Sequence, residues 1–316
     1  MSPNEHDSTE RVERVATITG IDDILLRDWE PRSQLRAEVS RVPVASMPCI
    51  DVHNHLGRWL GGGEWTVPNV KELLSVMDES HVEAAVNLDG LWGDELEANL
   101  DRYDRRHPGR FFTFCQIEWE RLADPDGLKH LTRQLEDSAR RGARGVKIWK
   151  TLGLGVRGAD GRLIPPDDPR VIALVRRAGD LGLPVLIHTA DPRAFFDPLD
   201  AHNERLDELR GGARGWYGDR DRYPTFDALL SAHAALVLAS PQTQIIGAHV
   251  GCAAEDLDMV ERLLRAAPNY HVDIAGRLAE LGRQPRRFAK LVRDYPRRIL
   301  FGTDSYPPTR EAYELH

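Results

Sequence analysis

Eight short apolar runs alternate with helical patterns between Pro48 and Asp304, and that alternation restricts the chain to the parallel α/β architectures. The runs are Cys49–Gly57, Val82–Leu88, Phe111–Ile117, Gly145–Trp149, Pro184–His188, Thr243–His249, Tyr270–Ile274 and Arg298–Asp304. Seven segments with helical spacing separate them: Val70–Ser80, Asp94–Arg106, Leu128–Arg141, Asp168–Leu181, Thr225–Ala239, Glu255–Ala267 and Leu278–Tyr295. Glycine or proline marks helix stops at His107-Pro-Gly109, Gly142 and Gly182. An open doubly wound sheet would alternate in the same way. The count of eight, with ionisable residues at the strand ends, favours an α/β (β/α)8 TIM barrel. Its eighth helix starts at Thr309 and is incomplete at His316. Residues 1–47 read as an N-terminal arm, polar over its first 20 positions and then suited to pack on the body through Ile24, Leu25, Leu26 and Trp29. The barrel spans 48–316.

The strand ends carry the chemistry. A buried parallel strand is normally a run of Val, Ile and Leu. Pro184-Val-Leu-Ile keeps to that rule until His188, Gln244-Ile-Ile-Gly-Ala until His249, and Ile299-Leu-Phe-Gly until Thr303-Asp304. In the first run the strand period of two puts Asp51, His53 and His55 on one face and Ile50, Val52 and Asn54 on the other. A barrel gathers these ends at one mouth. Several unrelated buried polar groups would each cost about 1–3 kcal/mol if left unpaired, whereas one shared cation satisfies all of them. The remaining histidines, His233 among them, fall in the arm, helices, loops or isolated positions and read as surface or capping residues.

Ile50-Asp-Val-His-Asn-His55, Gly145-Val-Lys147, Pro184-Val-Leu-Ile-His188, Gly247-Ala-His249 and Phe301-Gly-Thr-Asp304, taken in order, resemble the amidohydrolase superfamily. The closest likeness is to its amidohydrolase-related branch, which includes aminocarboxymuconate-semialdehyde decarboxylase, aromatic-acid decarboxylases and lactone hydrolases. The resemblance implies a (β/α)8 barrel with His53, His55, His188 and Asp304 as metal ligands and His249 beside the metal's water. A cation lowers the pKa of bound water from 15.7 towards about 7. Asp304 could ligate and also accept the water's proton, while His249 orients the water or polarises the substrate oxygen. Three imidazoles and a carboxylate suit zinc ahead of manganese or iron.

Lys147 has two readings. Binuclear members of the superfamily carboxylate a fourth-strand lysine to bridge two metals, which would give two ions here instead of one. The other reading pairs the amine with a neighbouring carboxylate. Lysine is scarce in this chain, five against 37 arginines, so its place within a strand is notable. Lys150 is expected to face outward or into the following loop, and Asp51, Glu118 and Asp273 to support the site from behind. Gly153-Leu-Gly-Val-Arg-Gly158 fits the dinucleotide pattern but opens a loop, since Ala159 to Pro166 cannot be the required helix. The connection from Ala190 to Pro224, with Phe195, Phe196, Trp216 and Tyr217, is long enough to form a lid or substrate wall.

These readings lead to a metal-dependent hydrolase acting on a small-molecule carbonyl substrate, an amide, lactone or ester. The alternative is a non-oxidative decarboxylase of an aromatic or unsaturated carboxylic acid. A third reading is a non-catalytic metal-binding barrel. The net charge of −8 argues against a nucleic-acid or anionic-membrane surface, and no apolar run approaches the roughly 20 residues of a membrane span. Three scattered cysteines indicate no disulfide framework and fit a reducing cytoplasm. A homo-oligomer is compatible with the sequence.

Overall fold

The computed structural model describes residues 24–25, 28–34, 36, 44–210 and 215–315. The chain divides into two units, Met1–Arg41 and Val42–His316. In the first, Ile24, Leu25 and Trp29 are exposed, and Leu26 lies outside the described residues.

The second unit is the expected barrel. Its strands are β1 (Cys49–Asn54), β2 (Val82–Asn87), β3 (Phe111–Thr113), β4 (Val146–Ile148), β5 (Val185–Ile187), β6 (Ile245–Gly247), β7 (Tyr270–Asp273) and β8 (Ile299–Leu300). They pair in parallel as two ladders, β1-β2-β3 and β4 through β8. Parallel bridges Cys115–Val146 and Asn54–Ser305 join the ladders at both seams. At the second seam the Val52 amide donates to the Phe301 carbonyl at 3.0 Å and the Asp304 amide to the His53 carbonyl at 2.9 Å. Among the described residues, closure leaves no free sheet edge, and it turns one face of every strand inward.

The helices are α1 (Val70–Glu79), α2 (Gly93–Arg102), α3 (Gly127–Arg141), α4 (Pro169–Asp180), α5 (Phe226–Ala239), α6 (Leu257–Ala266), α7 (Pro285–Asp294) and α8 (Arg310–Leu315). Local chemistry sets their ends. Asn69 caps α1 by accepting from the Lys71 and Glu72 amides, Asp168 caps α4 ahead of Pro169, and Gly142 ends α3 at φ 112°. The expected single helix Leu278–Tyr295 is two, Leu278–Gly282 and α7. Pro285 has no amide to continue the first segment but suits the first turn of the second.

Apolar helix faces and outward strand residues form the main core, with Leu131, Leu135, Val171, Leu174, Leu236 and Leu264 packed on Val146, Val185, Ile245 and Val272. Gly145 opens β4 where the Phe114 ring crosses it, and a Cβ there would lie 2.4 Å from the ring. Gly145→Ala is therefore expected to destabilise the barrel by about 1–3 kcal/mol in denaturant unfolding. An unchanged midpoint would mean that Phe114 can move aside.

Candidate metal centre

The five strand-end residues meet at one mouth. His53, His55, His188 and His249 are buried, and only Asp304, with its side chain 30% exposed, reaches the opening. His53 Nδ1 is 2.9 Å from Asp273 Oδ2, and His55 Nδ1 is 2.7 Å from Asp89 Oδ1, with both carboxylates fully buried. A buried carboxylate fixes the proton on Nδ1 and leaves the Nε2 lone pair free. Both Nε2 atoms face the same oxygen, Asp304 Oδ1, at 3.4 and 3.3 Å. These three residues form one group able to hold an ion, and His53, His249 and Asp273 form another.

Burial opposes ionisation of Asp304, but His53, His55 and His249 outweigh it and hold the carboxyl well below its usual range. Burial likewise lowers His53 and His249, and it takes His188 down to about 4, so these three imidazoles favour the neutral form a ligand needs. His55 differs. Burial works against its proton, yet Asp304 and Asp89 together raise its pKa.

His188 is not in the His53–His55–Asp304 group, but it sits in the same column of rings. Its centroid is 4.4 Å from that of His249, which is 4.8 Å from that of His53. Among the described residues, His188 Nε2 is buried without a hydrogen-bond partner. The closest carboxylate, Asp191 Oδ1, is 3.6 Å away, too far for a hydrogen bond. An orphaned imidazole nitrogen is costly unless something else fills its lone pair, and the donor set of imidazoles and carboxylate fits a divalent cation. Asp191 also pairs with Lys150, which faces into the loop as expected.

Lys147 is fully buried, and its Nζ is 3.2 Å from His53 Nε2. It shares an inward face with Leu186 and Ile246, its register partners across β5 and β6. Burial lowers its pKa to about 8, partly offset by Asp304 and Asp273. Lys147 has no ion pair among the described residues, so the expected pairing with a neighbouring carboxylate is not observed.

Asp51 and Asp273 support the site from behind. Asp51 accepts from the Thr303 amide and hydroxyl at 3.0 and 2.8 Å, tying β1 to the approach to Asp304. Asp273 also accepts from the His249 amide at 2.8 Å. Glu118 does not support it, because it is partly exposed and pairs with Arg121 at the surface. His233 is not a surface residue either, being 98% buried behind the site (2% exposed). Asp89 went unnoticed in the sequence, although it too ends an apolar run, directly after Leu88.

Aromatic side chains wall the mouth. The Trp149 ring lies 5.0 Å from His55, and Trp59 meets Trp149 edge-on at 4.6 Å. The described residues at both ends of the long connection after β5 are hydrogen-bonded to one another. Phe195 and Phe196 are buried, the Tyr217 amide donates to the Phe195 carbonyl at 2.7 Å, and Arg220 donates to the Phe196 and Pro224 carbonyls at 2.9 and 2.7 Å.

The profile of the amidohydrolase family matches residues 50–315. A search of curated proteins found no match. Among solved structures, 2,6-dihydroxybenzoate decarboxylase from Rhizobium superposes with a TM-score of 0.54 at 16% identity, covering 85% of this chain and 91% of that one. A dihydroxybenzoic acid decarboxylase from Polaromonas sp. JS666, solved with bound manganese and the inhibitor 2-nitroresorcinol, gives 0.53 at 14% identity, covering 85% and 90%. 5-Carboxyvanillate decarboxylase from Sphingomonas paucimobilis gives 0.51 at 14%, covering 85% and 92%. At such identities the likeness is one of fold. Among the described residues, no helix is long and apolar enough to cross a membrane.

Proposed function

The chain belongs to the amidohydrolase family and is accordingly an enzyme, and from that premise we propose that it uses one divalent cation, held by His53, His55, His188 and Asp304, to hydrolyse a small-molecule amide, lactone or ester. The observation that carries this reading is the convergence of His53 Nε2 and His55 Nε2 on one Asp304 oxygen, with both Nδ1 atoms already taken by buried carboxylates. Zinc suits the donor set best, and manganese is the alternative. When bound, the cation supplies Lewis acidity to the substrate carbonyl and acidifies water.

The chain's own residues do the rest. His249 Nδ1 donates to the Ala275 carbonyl at 2.8 Å, which leaves Nε2 as an acceptor facing Asp304 Oδ2 at 3.9 Å. A water between those two atoms would donate one hydrogen to His249 Nε2, which orients it, and give its other proton to Asp304. Lys147, beside His53 Nε2, offers a cationic or neutral amine to developing negative charge. As a free amine it favours one ion, and as a carbamate it would favour two.

A second reading, decarboxylation of an aromatic acid, has one specific observation behind it. The Trp59–Trp149 pair presents ring surface next to His55, which suits a planar substrate. A substrate panel separates the two readings. Aryl esters, lactones and amides turned over in 18O-water are expected to yield 18O-labelled acid. Release of carbon dioxide from hydroxybenzoates, without label uptake, would replace hydrolysis by decarboxylation. Neither product from metal-loaded protein would remove both readings.

A further inference from the structure

His188 and His249 come from different strands, and their ring spacing depends on the backbone segment that carries each of them. His249, Val250, Gly251 and Cys252 all have positive φ, 58°, 59°, 66° and 59°. That conformation is unfavourable for three non-glycine residues, and most of all for β-branched Val250. Such a turn persists only when its surroundings over-determine it.

Behind it, outside the barrel, runs a buried hydrogen-bonded chain. Thr189, the residue after His188, has its hydroxyl 2.7 Å from His233 Nδ1, and His233 Nε2 is 2.9 Å from the Tyr270 hydroxyl. The Tyr270 hydroxyl lies against the turn itself. A Cβ built on Gly247 would be 2.1 Å from it, and one on Gly251 would be 2.3 Å. Both ring nitrogens of His233 are therefore used, one toward the segment that carries His188 and the other toward the turn that carries His249. Packing does not explain the arrangement by itself, because His233 and Tyr270 also line a cavity of about 310 Å³ between α5 and α6. Both side chains are buried, and the hydrogen bonds fix the orientation of their polar groups beside that cavity.

We propose that Thr189, His233 and Tyr270 are positioning residues, a hydrogen-bonded brace that sets the spacing of His188 and His249 from outside the barrel. The inference takes from the proposed function only that these two histidines belong to the metal-binding site.

The test uses Tyr270→Phe and the pair Thr189→Val and Thr189→Ser in the full chain. Val keeps the shape of Thr189 and loses the hydroxyl, whereas Ser keeps the hydroxyl and loses the methyl. Amide hydrogen exchange is read at residues 249–252 against β2 as an internal reference, and the 15N signals of His249 are followed in histidine-labelled protein. Both Tyr270→Phe and Thr189→Val are expected to speed exchange at 249–252 about tenfold more than in β2 and to shift or broaden the His249 ring signals. Thr189→Ser is expected to match the native protein. Zinc affinity, read by competition with a chromogenic chelator, is expected to fall about tenfold in the first two variants only. Exchange that changes uniformly, or a Ser variant that behaves like the Val variant, would overturn the brace. If native protein binds neither zinc nor manganese, the proposed metal site fails, while hydrogen exchange still decides whether the brace exists.

Discussion

His53→Ala is expected to abolish stoichiometric metal binding and to lower turnover about 10³-fold, with Asp304→Asn close behind. A Lewis-acidic cation contributes several kcal/mol to such reactions, and each 1.4 kcal/mol is a factor of ten. His53 has the larger effect because it stands at the centre of the site. Its Nε2 faces Asp304 Oδ1 at 3.4 Å and Lys147 Nζ at 3.2 Å, and its Nδ1 faces Asp273 at 2.9 Å. Elemental analysis of native protein should return one ion per chain, and the His53→Ala protein should return none while keeping its circular dichroism. Two ions, with a 13C carbamate signal after growth in labelled bicarbonate, would assign Lys147 the bridging role. Equal metal content in native and variant protein would contradict the ligand set.

Asp273→Asn carries the next largest effect, because Asp273 contacts two of the histidines of the site at once. One carboxylate oxygen holds the His53 Nδ1 proton, and the other accepts from the His249 and Ala275 amides at 2.8 and 3.1 Å. An asparagine has nearly the same shape but carries no charge and has only one acceptor oxygen, so it cannot meet all three demands. Metal affinity is expected to fall 10- to 100-fold, in the range usual for partners that orient ligands. Asp89→Asn should show the same effect through His55 alone and therefore a smaller one. Isothermal titration with zinc measures both. An Asp273→Asn protein that binds as tightly as the native chain would mean that the His53 tautomer does not depend on this contact.

The fold was legible in the sequence because its signals are local. Period-two apolar runs, helical spacing and glycine or proline stops each lie within one element, and eight of them in alternation leave few architectures. His188, His249 and Asp304 could be picked out for the same reason, since each stands where an apolar run ends, and His53 and His55 by their alternation within the first run. The helix break at Pro285 was legible as well and was overlooked, because the apolar pattern continues across it.

The sequence by itself determined which residues could meet at the mouth of a barrel. Only the tertiary structure decided how they are held. His55 finds Asp89 34 positions away and His53 finds Asp273 220 positions away. Neither pairing leaves a trace in local periodicity, because both exist only once the strands close into a ring. His233 shows the same limit from the opposite side. Its place in a helix resembles that of a surface histidine, and its burial against Thr189 and Tyr270 follows from how α5 packs on the strands. Strand-end chemistry is written in neighbours along the chain. Orientation of the imidazoles depends on partners that only closure of the barrel brings within reach.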